Sequence, residues 1–512
     1  MKKMVAVFLA LAMLLSMGVV AVADDAEKPV ITYWCDLGAA SSTLTNYDEN
    51  LTWQLVQDAT GVDIEFSHPA SGQANEQFNL LIAGGEYPDV IEYNWSNYAG
   101  GVQNAIDSNI IIALNDYLDG SAPNLKALFE NYPELGKQVK TDSGLIPVFP
   151  ALSISDYNCQ SGYMIRRDWL DEKGLAVPET IDETEEVLLA LMDEKDLVCG
   201  FVTALSNVTG DMMVGAWGIG GTYYMDNGVA KYGPMEDAYL DYLTTMKRWY
   251  DEGILDPDMA ALDAKTMESY MINDEAAMCF GFAGGNMGNI LTAREKDSKE
   301  IGLEGISYLT VNKGEPFYFT NRSWEYRGAG SAAITTACKD VESACKVLDY
   351  FFSDEGRIAK TYGQEGLTFE YVDGVPTYTD LITHNPDGLT MSAALAKYLR
   401  ANNPWVGYIE TGYHEKYFAR PVQKAAAKAW NRDSALVVET KLPMISLTTE
   451  ESNELASVLV TINDYRTETV VKFIMGQKPL DEFDEFRDQL KALGIERVLE
   501  VYNEAVARYE AR

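Results

Sequence analysis

The sequence predicts an α/β protein of two lobes, and three observations carry that expectation. The chain is 512 residues long, too long for a single compact core. Over residues 30–93, strand-like and helix-like stretches alternate, the pattern of βαβ units around a parallel sheet. A second α/β unit follows over residues 162–327. No low-complexity stretch separates the two, so ordered crossings join the lobes in place of a flexible tether.

The elements follow in order. Residues 30–34 (Val-Ile-Thr-Tyr-Trp) are β-branched and aromatic and form a strand. A loop of polar and small residues covers 38–46. Residues 50–60 place Leu51, Leu55 and Ala59 on one helical side, and Gly61 stops that helix. Residues 62–66 form a second strand. Asn75 caps a helix carrying Phe78, Leu81 and Ile82, which ends at Gly84-Gly85; residues 89–93 are the third strand. Residues 144–150, with Pro147 and Pro150, cross out of the first lobe. In the second unit, helices are expected near 184–194 and 237–253 and a strand near 277–282. Glycine-rich loops fall at 218–221 and 284–285. Residues 331–336 form a strand and 340–352 a helix. The remainder is mainly helical, over 417–430, 450–476 and 480–509.

The N-terminus has the layout of a secretory signal. Lys2 and Lys3 precede an apolar run that ends in Ala21-Val22-Ala23, ahead of Asp24-Asp25. A basic start, an apolar centre and a small-x-small exit predict cleavage after Ala23. No cysteine stands at the exit, so no lipid anchor is expected. No later stretch has the ~20 apolar residues a bilayer span needs. The formal net charge of −38 argues against nucleic acid and anionic membranes as partners, and keeps an exported chain soluble and monomeric.

Six cysteines, Cys35, Cys159, Cys199, Cys279, Cys338 and Cys345, are thinly spread without a CxxC pair. They read as buried thiols with at most one optional bridge. Cys338 and Cys345, placed on one helix, would lie about 10 Å apart, too far for a disulfide. With three histidines in the chain, metal chemistry is not expected, nor is any cofactor.

In parallel sheets, ligands bind beyond the carboxyl ends of the strands. Trp34-Cys35-Asp36 and Asn94 to Tyr98 occupy two such ends.

The segment 162–183, from Gly-Tyr-Met-Ile-Arg-Arg-Asp-Trp-Leu to Pro-Glu-Thr-Ile-Asp-Glu, resembles the bacterial extracellular solute-binding proteins of family 1. Further resemblances lie at 249–258 (Trp-Tyr-Asp-Glu-Gly-Ile-Leu-Asp-Pro-Asp), 344–356, 362–374 and 502–509, in the family's order. The similarity extends to the large, alginate-oligosaccharide-binding-like subset. Most of these motifs make sense as structure: Thr180 can cap a helix whose first turn is acidic, and Arg166 and Arg167 suit structural ion pairs. Trp53, Trp169, Trp249 and Trp430 lie on helix-like segments and read as core.

The resemblance implies a periplasmic-binding-protein-like fold, two α/β lobes joined by a hinge with the ligand cleft between them. On that pattern 1–23 is the signal, 24–150 the first part of lobe 1, 151–327 the first part of lobe 2 and 328–395 a return to lobe 1. Residues 396–512 form a mainly helical region on lobe 2 and the hinge. The implied function is capture of a carbohydrate, an oligosaccharide, for an ABC permease, without chemistry. A peptide or other small solute in the same fold is an alternative. A secreted glycoside hydrolase is another; it would need two carboxylates at a set spacing.

A sugar-binding cleft sets aromatic rings against the apolar ring face and places polar groups at the hydroxyl rim. The candidates are Trp34, Asp36, Trp95, Tyr98, Tyr157, Asn158, Trp217, Asn286, Trp324, Tyr326, Trp405 and Tyr408, with Trp95 and Trp324 favoured by strand-end and hinge positions. Where maltose-type relatives carry an aromatic platform after the second-lobe strand, this chain reads Gly284-Gly285-Asn286. The small residues there are expected to leave room for a wider ligand. Residues 193–198 lack the alternating oxygen ligands and the central glycine of a calcium loop, so no structural calcium is expected there.

Overall fold

The computed structural model describes residues 28–152, 157, 159–318, 326, 330–401, 405–410, 412–432 and 440–512. The signal-like segment, Asn158 and Trp324 lie outside the described residues. The strands in chain order are β1 (Val30–Cys35), β2 (Asp63–Ser67), β3 (Val90–Tyr93), β4 (Ser161–Arg166), β5 (Cys199–Val202) and β6 (Tyr223–Asp226). They continue with β7 (Val229–Tyr232), β8 (Ala276–Phe282), β9 (Leu303–Ile306), β10 (Ser331–Ile334), β11 (Phe369–Val372) and β12 (Val375–Tyr378).

Lobe 1 is built on the sheet β10-β3-β1-β2. β1 pairs in parallel with β2 and with β3, while β10 runs antiparallel to β3 with Ser331 opposite Tyr93. The first helix, Leu51–Thr60, ends at Gly61 as its sequence signal predicts, and Asn50, read as its first residue, is its cap. Asn50 accepts from the Trp53 amide, and Gly61 takes φ +67°, a left-handed conformation that costs glycine little. The next helix differs. It spans Ala74–Gly84 with Gln73 ahead of it, and Asn75 is inside, its side-chain oxygen accepting from the Tyr93 hydroxyl. The asparagine therefore ties the helix to the end of β3 and does not cap it.

Lobe 2 has the sheet β5-β8-β4-β9, mixed in direction: β5 and β8 are parallel, and β4 is antiparallel to both β8 and β9. Thr180 and Glu183 close a reciprocal capping box on the helix Ile181–Met192, satisfying donors that a helix start otherwise leaves orphaned. Arg166 and Arg167 form structural ion pairs, with Asp168 and Asp274 and with Asp171 and Glu304.

The C-terminal helices complete this lobe. Leu455, Val470 and Phe473 on the helix Thr449–Ile474, Phe486 on Phe483–Ala492 and Val498 on Ile495–Glu510 join one core with Tyr163, Phe201 and Trp249. The continuous helix expected over 480–509 is broken at Gly494, whose φ is +102°. A feature absent from the sequence expectation is a third, smaller core around Tyr362, Phe369, Tyr378, Leu395 and Tyr413, beside the β11–β12 hairpin.

Three chain segments meet between the lobes. Phe149 bridges Ala332, Ala151 bridges Gly407, and Leu152 bridges Tyr326. Gly407 sits at φ +83°, and a Cβ there would run into Phe351, so both backbone conformation and space require glycine. The six cysteines are free thiols. Cys338 precedes its expected helix, which starts at Val341. No helix among the described residues is long and apolar enough to cross a membrane.

Candidate ligand-binding cleft

The crossing segments enter each sheet at one end, which defines the ends that face each other. β4 begins at Ser161, opposite Phe282 at the end of β8. β10 begins at Ser331, opposite Tyr93 at the end of β3. The carboxyl ends of β1, β3 and β8 therefore lie beside the hinge, where ligands of such sheets bind.

At the lobe-1 end the structure gathers several predicted residues into one aromatic group. Phe78 and Tyr93 stack at 3.9 Å between ring centres. Trp34 lies 6.4 Å from Phe78 and 6.0 Å from Tyr93, Trp95 lies 5.4 Å from Phe78, and Tyr98 follows at 6.3 Å from Trp95. Within this group Trp95 is 0% exposed and its indole N–H donates to the Ile91 carbonyl. The structure thus makes Trp95 a core residue: Phe78 covers the ring that strand-end logic directed at a ligand. Trp34 is also buried, while Tyr98 is half-buried. Asp36 is half-buried, with one carboxylate oxygen accepting from the Gly38 amide at 3.0 Å.

Behind this end lies a charged cluster. Arg400, 1% exposed, donates to Glu92 at 2.5 Å, and the Tyr33 hydroxyl donates to the other Glu92 oxygen. The guanidinium also faces Tyr47, Trp53 and Trp405 at 4.7, 4.9 and 4.4 Å from the ring centres. Burial raises the Glu92 carboxyl above its ordinary range against the opposing pull of Arg400. Trp405, a predicted contact, is thereby an anchor of the buried arginine, since its ring is enclosed in the core. Tyr408 accepts from Arg357 at 2.8 Å, and buried Tyr326 donates its amide to Gln138, so both work in the hinge scaffold.

On lobe 2, Tyr157 donates to Glu415 at 2.7 Å and Trp217 packs edge-on against Tyr242. Asn286 is held from both sides: its carbonyl oxygen accepts from the Phe282 amide at 2.9 Å and its NH2 donates to Glu268 at 2.8 Å. It sits in a one-turn π-helix, Ala283–Met287, that continues into the helix Gly288–Lys296; such turns often mark functional sites. Of the two loop glycines, Gly285 has open space beside it, whereas Gly284 does not. A Cβ on Gly284 would meet the Tyr417 ring, and one on Gly281 would meet Asn286, so their room is already filled.

An aromatic ring does stand two residues before Gly284. Phe282, last in β8, is 57% exposed, an uncommon cost for a large apolar side chain at the mouth of a sheet. Beside it, Glu268 on the helix Ala264–Ile272 accepts from Asn286 and from Asn289 at 2.8 and 3.2 Å. Burial raises the Glu268 carboxyl, with the two amides pulling the other way. An open ring thus stands beside a carboxylate that two amides hold in place. Sequence reading missed Phe282, Glu268 and Asn289: Phe282 is the last letter of a strand pattern, and the other two sit on helices with no local motif. No cluster of metal-ligating side chains occurs among the described residues.

Two lobes with facing strand ends and a hinge of three crossings define the clefted, solute-binding class of proteins. Residues 41–358 match the family model of the bacterial extracellular solute-binding proteins, and the chain belongs to that family. It is 21% identical to the fructooligosaccharide ABC transporter substrate-binding protein FusA of Streptococcus pneumoniae, over 92% of this chain and 90% of that protein. It is 24% identical to the polygalacturonan/rhamnogalacturonan-binding protein YtcQ of Bacillus subtilis, over 90% and 86%. Among solved structures, the alginate-binding protein AlgQ2, crystallised without calcium, is similar with a TM-score of 0.79 at 22% identity, over 94% of this chain and 98% of that one.

Proposed function

We propose that this protein captures an oligosaccharide in the cleft and delivers it to an ABC importer, without turning it over. The observation that carries this reading is the open Phe282 ring beside the amide-braced Glu268, at the hinge-side end of lobe 2. Phe282 would stack on the apolar face of a pyranose or furanose ring. Glu268 and Asp36 would accept hydroxyl hydrogens from opposite lobes, so that a ligand bridging them draws the lobes together. The carbohydrate named for FusA, for YtcQ and for AlgQ2 supports the same class of ligand here. Trp324 and Asn158, outside the described residues, remain proposed contacts from the hinge. Export with cleavage after Ala23, leaving an unmodified Asp24, belongs to the same proposal and is checked by the mass of the mature N-terminus.

A thermal-shift screen against glycans and peptides tests the function. A ligand bound only by the folded state raises the melting temperature, by about 2.7 kcal/mol of stabilisation at a hundred times its Kd. The expected outcome is a shift with at least one oligosaccharide that is recovered at full length. Shifts with peptides alone, or recovery of shortened glycan, defeat the proposal.

A further inference from the structure

We propose that the cleft selects neutral oligosaccharides over uronate-containing ones, and that Glu268 is the residue that sets this preference; the inference rests on the oligosaccharide reading. The relatives do not decide the point, since FusA is named for a neutral glycan and YtcQ for an acidic one. The side chains of the site do bear on it.

Glu268 is held by amides alone. Asn286 and Asn289 both donate to Oε1, and Asn289 reaches Oε2 at only 3.4 Å, so Oε2 keeps lone pairs for a ligand. No ion pair among the described residues includes Glu268. The amide of Asn286 cannot turn to offer its carbonyl in exchange, because that oxygen already accepts from the Phe282 backbone. Its NH2 is thus committed to the carboxylate.

The facing end of lobe 1 repeats the pattern. Asp36 has a backbone partner, the Gly38 amide, and no ion pair among the described residues. The nearby cation, Arg400, is buried and engaged by Glu92 and three aromatic rings. Of the basic side chains toward this side of lobe 2, Arg420 pairs with Glu295 and Lys424 with Glu415, while Lys265, on the helix of Glu268, is exposed to solvent.

Two carboxylates with no ion pair among the described residues make strong acceptors for the O–H donors of a neutral sugar. A uronate bound between them would add a third negative charge, and desolvation in a closed cleft would magnify the repulsion. The field of a chain with net charge −38 adds long-range repulsion of polyanions at low salt.

Calorimetric titration in dilute buffer tests this with two sets of probes. The neutral set is fructo-, malto-, xylo-, galacto- and manno-oligosaccharides; the acidic set is oligogalacturonates and alginate oligomers. The expected result is a neutral probe that binds at least ~30-fold more tightly than any acidic one, a ratio set by like-charge repulsion. An acidic probe that binds as well as or better than every neutral one overturns the selectivity while leaving the oligosaccharide reading intact. Failure of both sets, with peptides binding, overturns the oligosaccharide reading and the selectivity with it. Glu268→Gln, which keeps size and shape, should weaken the neutral ligand about tenfold and narrow the neutral-to-acidic ratio, with an unchanged melting temperature. If neutral probes win but the ratio is the same in Glu268→Gln, Glu268 does not set it.

Discussion

Phe282 and Trp95 show how burial reverses the roles that position in the sequence suggests. Both end or follow a strand at the hinge side of a sheet. Phe282 is 57% exposed, whereas Trp95 is 0% exposed behind Phe78. Phe282→Ala should therefore reduce ligand affinity about 5- to 10-fold, the value of one lost aromatic contact of ~1–1.5 kcal/mol. The same variant should change stability by no more than ~0.5 kcal/mol, as for other exposed positions. Trp95→Ala should instead destabilise the fold by ~3–5 kcal/mol, the usual cost of emptying a buried aromatic site. Calorimetry and chemical denaturation on the pair separate the two roles. An unaffected ligand affinity in Phe282→Ala would remove Phe282 from the site. The reason sequence could not rank these residues is physical: the burial of Trp95 depends on Phe78, a contact made across the fold and not written locally.

Elements were more legible than side chains, because starts and stops are chemically local. The Gly61 stop and the Thr180 cap both stand where residue types require them. Asn75 fails as a cap because Tyr93 claims its side-chain oxygen, a tertiary contact. The hinge illustrates the same limit. Lys360, near the end of the helix Asp354–Thr361, is buried, and its ammonium donates to the carbonyls of Trp405 and Val406 at 2.8 and 2.7 Å. Those carbonyls belong to the third crossing, next to Gly407. Burial, followed by repulsion from Arg400, lowers the lysine to about 7, with Glu92 opposing. The folded state therefore sheds this proton near pH 7 while the unfolded chain keeps it to about pH 10.4. Between those limits the unfolded state binds more protons, so the contribution of Lys360 to stability rises with pH. Denaturant titrations of wild type and Lys360→Met from pH 6.5 to 9.5 should show a stability difference that shifts in favour of wild type as pH rises. A difference that is flat across this range would mean that Lys360 is not desolvated in the hinge. Taking the difference cancels the tyrosine and cysteine ionisations that both proteins share.

At the scale of the molecule, the two-lobe plan was visible in length and in strand–helix alternation, while the third core around Tyr362 and Tyr413 was not. Its residues are scattered over helices and a hairpin with no repeating pattern, and only the fold brings them together. The plan also sets what can move. The C-terminal helices belong to the lobe-2 core, yet Arg508 and Arg512 at their far end pair with Asp142 of lobe 1 at 2.7 and 2.6 Å. A rigid guanidinium–carboxylate contact between two bodies survives rotation only close to the axis. If the cleft closes on its ligand, these pairs and the crossings at Phe149, Ala151 and Leu152 would mark the axis, and the strand ends carrying Asp36 and Phe282 would move toward each other about it. Small-angle scattering should show a smaller radius of gyration at saturating ligand than without it. Asp142→Asn should lower the melting temperature, since it weakens two paired arginines, but leave the ligand-induced change in radius unaltered. A radius that stays constant through saturation would mean that the cleft does not close. A change in radius that is lost in Asp142→Asn would place these ion pairs on the closing face and move the axis elsewhere.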